Sequence, residues 1–467
     1  MKQFSTTLQA FYHWERTTPD ATFLRAREND TWREYSWAEV GDQVRRCATL
    51  LKNLLPEPGQ RIAILATNNP YWFIVDLAAQ ITGHVVVPLF TTMTEENIDY
   101  ALTHTETQVL FLGAAENWKT VAQVVSPTIK IVTLPGTTCE QGAHSTWKDA
   151  VATQQPLQGK PIPPTDELRS IILTSGTTGL PKGVMYSLET IREMAHNVIR
   201  STGTPDHANF ISYLPLAHAA ERIAIEGQAL LLGGVVTFNE SLATFADDMK
   251  KATPHWFFSV PRIWTKLKQG ILAELPQDKL DELLADSTTA ETTQRQIAES
   301  LGLQNAVYIA CSTAPMSDAD HHWFESVGLP LCEMYGQSEM IPMTVNTPAS
   351  RRLGSLGRAI EGVEVKIAEN GEILGRSKNI MMGYYRDPQK TAETLIDGWL
   401  HTGDKGRLDD EGYLYLTGRV KEIFKGTKGK YVAPAPIENL FNHHPLIEQQ
   451  CLVGSGMPFT IMAAVID

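Results

Sequence analysis

Ten consecutive residues near the middle of the chain have the composition of a loop that binds phosphate. They read TSGTTGLPKG, from Thr174 to Gly183, and they follow a short apolar run. Glycine lets the backbone approach an anion closely, and hydroxyl and backbone N–H groups donate hydrogen bonds to phosphate oxygens. Lys182 adds a positive charge. The predicted phosphate-binding residues are Thr174, Ser175, Gly176, Thr177, Thr178, Gly179 and Lys182.

This segment differs from the Walker A loop of P-loop NTPases, to which its composition is close. A Walker A loop requires Gly-Lys-Ser/Thr in succession. Here Pro181 precedes Lys182 and Gly183 follows it, so an unrelated P-loop NTPase is disfavoured. A flexible Ser/Thr/Gly-rich loop between two elements is the remaining alternative.

The segment resembles the phosphate loop of the adenylate-forming (acyl-CoA synthetase, AMP-binding) superfamily, and segments similar to other motifs of this family follow in order. The segment YGQSE resembles the family's Tyr-Gly-x-Thr-Glu. The resemblance implies that Tyr335 packs on the adenine, that Ser338 contacts the α-phosphate and that Glu339 binds Mg²⁺, a cation that prefers oxygen ligands. It also places Gly336 and Gln337 in the nucleotide site. An exposed acidic turn is the alternative.

Two more segments resemble parts of the family's nucleotide site. The segment STAPM lies where the family often has Gly-Gly-Ala-Pro. This resemblance implies that Ser312, Ala314 and Pro315 line the adenine and acyl sites. The segment HTGD resembles the family's Thr-Gly-Asp. It implies that Asp404 accepts hydrogen bonds from the ribose hydroxyls; a turn-capping aspartate is the alternative.

The segment GRVKE resembles the hinge before the family's C-terminal domain. The resemblance implies that Arg419 contacts the ribose or a phosphate and that Lys421 is the pivot; a solvated surface lysine is the alternative. The family also has a lysine near its C-terminus that bridges the carboxylate and the α-phosphate, whereas no lysine follows Lys430 here. We expect a naturally short protein or a piece of a longer one, and slow adenylation by this chain.

Two segments resemble the long-chain fatty-acid–CoA ligases within the superfamily. The first, SYLPLAHAAER, contains His218, which the resemblance places beside the acyl site. A histidine satisfied within the core is the alternative. The second is KGTKGKYVAPAPIE, from Lys425 to Glu438. The catalytic residues that the resemblance implies are Lys182, His218, Glu339 and Lys421.

The resemblance implies an AMP-forming long-chain or medium-chain fatty-acid–CoA ligase. It uses ATP and Mg²⁺ to form acyl-AMP with release of pyrophosphate, and coenzyme A then accepts the acyl group. Three alternatives stay open. They are a fatty acyl-AMP ligase or carrier-protein loading enzyme, a fragment of a carboxylic acid reductase, and a weakened enzyme that only binds nucleotide or lipid. Dependence on coenzyme A separates the enzymes from one another.

The composition narrows the partners and the compartment. The net charge of -13 over 467 residues argues against a nucleic-acid surface, which needs clustered Lys and Arg. Five scattered cysteines without a CxxC pair indicate a reduced, cytoplasmic protein. The N-terminus lacks the apolar stretch of a signal peptide, and residues 223–238 suit a core helix and strand better than a membrane span. Peripheral association with the inner face of a membrane and the oligomeric state are left open.

The elements that must position these residues form an α/β fold. Short apolar runs alternate with helical patterns, beginning with Arg61–Ala66, Tyr71–Ile81 and Val85–Leu89, which predicts a mostly parallel sheet. From about residue 354 the pattern becomes antiparallel, with a type I′ hairpin turn predicted at Asn370-Gly371. We predict a large N-terminal domain (1–419) of two stacked α/β sheet layers plus a β-rich, barrel-like subdomain. A partial, small α+β C-terminal domain (420–467) follows. A strand is also predicted over Leu329–Glu333.

Overall fold

The computed structural model describes residues 3–29, 31–115, 118–137, 144–174, 180–313, 316–420, 424–425, 431–432, 434–441, 447–454, 457 and 459–466. Eight of the predicted site residues lie outside these ranges: Ser175, Gly176, Thr177, Thr178, Gly179, Ala314, Pro315 and Lys421. The chain divides into two compact units. The first unit contains Met1–Arg200, Thr204–His255 and Asn379–Thr391; the second contains Ser201–Gly203, Trp256–Lys378 and Ala392–Asp467.

Helices alternate with strands along most of the chain. The helices of the described residues are α1 Thr7–Thr17, α2 Trp37–Leu54, α3 Pro70–Thr82, α4 Glu95–His104, α5 Trp118–Val121, α6 Trp147–Ala150, α7 Leu188–Thr202, α8 Ala219–Glu221, α9 Gln228–Leu232, α10 Phe245–Ala252, α11 Pro261–Glu274, α12 Gln277–Ala285, α13 Ala290–Ser300, α14 Asp318–Ser326, α15 Pro388–Thr394 and α16 Pro434–Phe441. A π-helical stretch, Arg222–Gly227, joins α8 to α9.

The strands of the described residues are numbered in chain order. They are β1 Thr22–Glu28, β2 Thr31–Ser36, β3 Arg61–Leu65, β4 Val85–Leu89, β5 Thr107–Leu112, β6 Lys130–Thr133, β7 His144–Thr146, β8 Leu168–Thr174, β9 Lys182–Ser187, β10 Asn209–Ser212, β11 Val235–Phe238, β12 Trp256–Ser259, β13 Tyr308–Cys311, β14 Met334–Gln337, β15 Met340–Val345, β16 Arg358–Ala359, β17 Val363–Ile367, β18 Glu372–Ser377, β19 Gly383–Tyr384, β20 Leu395–Ile396, β21 Trp399–Leu408, β22 Leu414–Arg419, β23 Phe424–Lys425, β24 Tyr431–Val432, β25 Ile447–Val453 and β26 Ile461–Ile466.

Two sheets form the first unit. The larger has the strand order β19-β9-β8-β4-β3-β5-β6-β7, parallel from β8 to β7 and antiparallel at β8, β9 and β19. The smaller has the order β10-β11-β1-β2. Helix α3 contacts both β1 and β4, one strand from each sheet, and its buried residues lie on all of its sides. The prediction of two α/β sheet layers is therefore confirmed.

Helix α3 has clear signals at both ends. The Asn69 side chain accepts a hydrogen bond from the Trp72 N–H, and Pro70 occupies the first turn, where its missing N–H costs nothing. Gly83 ends the helix with a φ of 75°, a conformation that glycine adopts without strain. The helix thus extends one residue beyond the predicted range at each end.

Mainly antiparallel sheets form the second unit. Strand β14 pairs with β15 and β15 with β16, while β17, β18, β21 and β20 form another sheet with β22 on β21. One parallel pair, β12 and β13, completes the list of sheets before residue 420. This arrangement confirms the β-rich part of the predicted fold. No helix of the described ranges is long and apolar enough to span a bilayer.

Two local predictions are wrong. Residues Leu329–Glu333 form no strand but a single bridge at Cys332, because Pro330 has no N–H to give to a ladder. The turn at Asn370-Gly371 is not type I′, since Gly371 alone of the pair has a positive φ. The Gly371 N–H donates to the Ala368 carbonyl, and the Ala368 N–H donates to the Glu372 carbonyl. The loop therefore has three residues and ends in a left-handed glycine.

Candidate active site

Four of the predicted nucleotide residues lie together in the second unit, around the carboxylate of Asp404. The Tyr335 hydroxyl and the Gln337 side-chain amide each donate a 2.7 Å hydrogen bond to Asp404 Oδ2. The Arg419 Nε lies 3.2 Å from Oδ1. Asp404 itself is buried, whereas the Arg419 side chain is exposed. The structure thus brings Tyr335, Gln337, Asp404 and Arg419 into one cluster, which we call the Asp404 cluster.

Strand pairing explains how residues far apart in sequence reach this cluster. Asp404 on β21 is the direct antiparallel partner of Arg419 on β22. Tyr335 and Gln337 lie on β14, whose hairpin with β15 has an irregular register between them. Gly336 lies at that irregularity, where a Cβ atom would come within 2.9 Å of the Met340 carbonyl oxygen. A glycine is therefore needed for the hairpin that carries both side chains.

Three more predicted residues that the structure describes in the second unit, Ser312, Ser338 and Glu339, lie close to the same hairpin. Ser338 and Glu339 form its turn, and Glu339 is buried. The Ser312 hydroxyl donates a 2.8 Å hydrogen bond to the Met334 carbonyl at the start of β14. Ser312 thus fixes the strand that carries Tyr335.

The phenol of Tyr335 is a hydrogen-bond donor within the Asp404 cluster. Removal from water, reinforced by the negative charge of Asp404, raises the pKa of Tyr335 well above its ordinary value. The phenol therefore stays neutral and remains a hydrogen-bond donor. The donating hydroxyl fixes the orientation of the Asp404 carboxylate.

Thr174 and Lys182, at the two ends of the predicted phosphate loop, pair directly in the first unit. They are opposite each other in the antiparallel ladder of β8 and β9. The Thr174 hydroxyl oxygen is buried and has no hydrogen-bond partner among the described residues. The Lys182 Nζ lies 4.7 Å from the ring centroid of Tyr384. A hydroxyl and an ammonium group are both donors that can bind an anion.

Gly183 allows strand β19 to pack closely against β9 at the end of the predicted phosphate loop. Strand β19 pairs with β9, and the Tyr385 N–H donates a 2.7 Å hydrogen bond to the Gly183 carbonyl. A Cβ atom on Gly183 would lie 2.7 Å from Cγ2 of Ile171 and 3.2 Å from Cβ of Tyr385. The glycine therefore allows the close approach that places Tyr384 against Lys182. The sequence alone did not indicate Tyr384.

His218 begins the helical segment of α8 in the first unit. Its Nδ1 accepts a 3.1 Å hydrogen bond from the Ala220 N–H. An accepting Nδ1 carries no proton, so the neutral ring has its proton on Nε2. The surrounding chain desolvates the ring, although part of it stays exposed, and this lowers the pKa of His218 below its ordinary value. The ring is therefore a neutral donor through Nε2.

Two side chains that the sequence analysis did not single out hold the His218 segment in place. The Asn68 amide donates to the Ser212 hydroxyl and to the Leu214 carbonyl, and its oxygen accepts from the Leu216 N–H. The Glu221 carboxyl accepts a 3.0 Å hydrogen bond from the Tyr213 N–H. Burial raises the pKa of Glu221 to about 8. No pattern local to Asn68 could have announced contacts that lie more than a hundred residues away.

Glu339 is the residue that the sequence analysis assigned to Mg²⁺. Among the described residues, no group of three or more His, Cys, Asp or Glu side chains could hold a metal ion. Mg²⁺ usually binds through one or two carboxylates together with substrate phosphates and water. Glu339 has a buried side chain and supplies one such carboxylate.

The chain is similar to known proteins over most of its length. The family model described as AMP-binding enzyme matches residues 11–385. The long-chain-fatty-acid–CoA ligase heimdall of Drosophila melanogaster is 30% identical over 483 residues, covering 91% of this chain and 70% of that protein. A long-chain-fatty-acid–CoA ligase of Mycobacterium bovis is 28% identical over 499 residues, covering 98% of this chain and 81% of that protein.

The fold is also similar to solved structures. The A-PCP didomain of carboxylic acid reductase from Segniliparus rugosus, in complex with AMP, superposes with a TM-score of 0.81. The sequence identity is 20%, and the match covers 100% of this chain and 72% of that chain. At this level of identity the likeness concerns the fold alone.

Proposed function

Because this chain belongs to the AMP-binding enzyme family, we propose that it activates a fatty acid with ATP and transfers the acyl group to coenzyme A. The observation that carries the proposal is the Asp404 cluster, a buried carboxylate set among a phenol, an amide and a guanidinium. A carboxylate fixed in this way suits the two hydroxyls of a ribose. The names of the relatives supply the fatty acid and coenzyme A.

The first half-reaction joins the acid to AMP. A carboxylate oxygen of the fatty acid attacks the α-phosphorus of ATP, the bond to the β-phosphate oxygen breaks, and pyrophosphate leaves. In our proposal Thr174 and Lys182 bind phosphate, and Ser338 donates to the α-phosphate. Mg²⁺ at Glu339 would supply positive charge that offsets the charge of the phosphates. The protein thus acts mainly by position and electrostatics.

The second half-reaction forms the thioester. The sulfur of coenzyme A attacks the acyl carbon, the bond from that carbon to the phosphate oxygen breaks, and AMP leaves. The thiol proton goes to solvent. In our proposal the neutral Nε2–H of His218 donates to the acyl carboxylate in the first half-reaction and orients the acyl carbon for the second. We also propose that Arg419 and Lys421 form a hinge, with a domain boundary after residue 419.

The test is release of pyrophosphate from ATP that depends on both Mg²⁺ and a fatty acid, over acids of increasing chain length. Mass spectrometry with and without coenzyme A identifies acyl-AMP and acyl-CoA. We expect Glu339→Gln to lower the rate at least about tenfold, because it removes the charge that binds Mg²⁺. The matched control is Glu364→Gln, an exposed carboxylate of the same unit paired with Arg376.

Each outcome of this assay decides something. Acyl-CoA formation supports the proposal, and the chain-length optimum names the acid. Acyl-AMP that accumulates whatever the thiol concentration contradicts the transfer to coenzyme A. If nucleotide binding is intact but pyrophosphate release does not depend on the acid, the proposed enzymatic activity is contradicted. Peripheral membrane association stays a prediction, which flotation with anionic and neutral vesicles tests.

A further inference from the structure

The loop that carries Asp404 is held by a carboxylate from the neighbouring strand. Glu372 of β18 accepts a 2.9 Å hydrogen bond from the Gly403 N–H through Oε1. Its Oε2 lies 3.0 Å from Nδ1 of His401, which donates since a carboxylate can only accept. Glu372 is buried, at 8% exposure. Both of its oxygens are thus engaged by the residues that lead into Asp404.

The strand register shows why this loop needs outside support. Glu372 pairs with Lys405, but Leu374 pairs with His401. Three residues of β21, from Thr402 to Asp404, therefore oppose one residue of β18. Such a bulge turns side chains in a new direction and removes backbone groups from the regular ladder.

Side chains replace the ladder within this bulge. The Gly403 N–H donates to the Glu372 carboxylate, and the Asp404 N–H donates to the Thr402 hydroxyl at 3.1 Å. That hydroxyl in turn donates to the Ile373 carbonyl at 2.7 Å. Gly403 has a φ of 74°, which favours glycine and directs its N–H to the carboxylate. The bulge is therefore held from two consecutive residues of β18.

We propose that Glu372 is a positioning residue for ribose recognition, acting through the Thr402–Asp404 bulge on the Asp404 carboxylate. Glu372 itself touches no nucleotide in this proposal. Recognition of a diol depends on carboxylate geometry within a fraction of an ångström. A shift of the bulge would therefore weaken nucleotide binding even though the protein stays folded. The inference rests on the proposed role of Asp404.

The experiment measures equilibrium binding of Mg·ATP and of Mg·2′,3′-dideoxy-ATP, which lacks both ribose hydroxyls. The quantity of interest is the ratio of the two dissociation constants. We expect Asp404→Ala to abolish the preference for ATP. We expect Glu372→Ala to weaken ATP binding about tenfold and leave the dideoxy analogue nearly unchanged, the size expected for loss of a charge-assisted hydrogen bond. Glu364→Gln should leave both constants unchanged.

Two further variants make the result decisive. In Glu372→Ala/Asp404→Ala the ratio should equal that of Asp404→Ala alone, because Glu372 acts only through Asp404. Glu372→Gln keeps one carbonyl acceptor for Gly403 and should give an intermediate ratio; it also carries the test if the alanine variant fails to fold.

The possible failures are distinguishable. A wild-type ratio in Glu372→Gln and Glu372→Ala, together with a collapsed ratio in Asp404→Ala, overturns the positioning role. An unchanged ratio in Asp404→Ala overturns the ribose role of Asp404 itself. Equal weakening of both nucleotides by Glu372→Ala also counts against the inference, because it indicates general damage to the unit.

Discussion

The hydroxyl of Tyr335 and the carboxylate of Asp404, 69 residues apart, are joined by a 2.7 Å hydrogen bond inside the second unit. The phenol is buried, and its pKa is raised well above the ordinary value by burial and by the charge of Asp404. A buried carboxylate is costly unless its lone pairs are satisfied. Tyr335 therefore satisfies part of the hydrogen-bonding capacity of the buried Asp404 side chain.

Replacement of Tyr335 by Phe should lower the free energy of unfolding by about 1–3 kcal/mol, because a buried carboxylate loses a donor. We expect a lower midpoint of urea unfolding and weaker binding of ATP. Tyr415→Phe is the control, since that hydroxyl donates to Asp409 at 3.2 Å from a less buried position. Equal effects of the two substitutions would show that the Tyr335 hydroxyl has no special role.

Glu221 should make stability depend on pH in the first unit. Its folded pKa of about 8 is raised by burial above the ordinary value. The contribution of the protonated Glu221 carboxyl to the free energy of unfolding is therefore fully present below about pH 4.5. It is lost as the pH rises towards 8. Glu221→Gln mimics the protonated acid and can still accept from the Tyr213 N–H. Between pH 5 and pH 8 the wild type should lose roughly 2–4 kcal/mol relative to this variant.

The measurement is the urea midpoint of both proteins at several pH values in this window. Glu96→Gln is the control, because Glu96 is exposed on α4. The difference between wild type and Glu221→Gln should grow with pH, whereas the difference between wild type and Glu96→Gln should stay flat. If the difference in urea midpoint between wild type and Glu221→Gln does not change with pH, the raised pKa of Glu221 is contradicted.

Asp76 and Glu226 both approach Arg222 in the first unit, but we expect them to contribute unequally to the free energy of unfolding. The Arg222 guanidinium binds Asp76 through one nitrogen and the Ser170 hydroxyl through another, and all of these groups are buried. Glu226 lies 3.4 Å from the guanidinium, and one of its oxygens lacks a partner among the described residues. Burial and the charge of Asp76 raise the pKa of Glu226 well above its ordinary value.

Glu226→Gln should therefore change stability by less than about 1 kcal/mol, since the raised pKa favours the neutral acid, which the amide resembles. Asp76→Ala should cost about 3 kcal/mol, because it removes the carboxylate that the buried Arg222 guanidinium binds. In the Asp76→Ala background Glu226 becomes the remaining acid able to pair with Arg222, so Glu226→Gln should then be clearly destabilising. Urea midpoints of the four proteins form a double-mutant cycle, and additivity would contradict the coupling of Asp76 and Glu226 through Arg222.

Local patterns predicted the elements of the first unit well. The apolar runs at β3 and β4 and the helix between them match the structure to within one residue at most ends. The reason is that buried parallel strands and capped helices are determined by neighbours in sequence. The site motifs were also found in order, since each is a short segment with its own residue types.

Partners that approach from distant segments could not be predicted. Nothing near Glu372 indicates that its carboxylate meets the Gly403 N–H, 31 residues later. The bulge behind that contact depends on the register of β18 and β21, which a sequence pattern does not specify. The π-helical stretch after Glu221 was missed for a similar reason, because one extra residue per turn leaves the apolar character unchanged.

A pair of substitutions separates the observed capping contact of His218 from the role in the reaction that we propose for it. Its Nδ1 caps the helical segment by accepting from the Ala220 N–H, while Nε2 has no partner among the described residues. Asn can also accept at this capping position, whereas Ala cannot. His218→Ala should therefore cost about 1 kcal/mol of stability, and His218→Asn much less.

The effect on activity should follow a different order. If Nε2 donates to the acyl carboxylate, both substitutions remove that donor, and acid-dependent pyrophosphate release should fall by a similar factor of roughly 10–100 in the two variants. ATP binding in the absence of acid should be unchanged, since Nε2 has no role there. Activity that follows stability, with His218→Asn close to wild type, would reduce His218 to a helix cap. Equal activity with unequal stability assigns the Nε2 proton to the reaction.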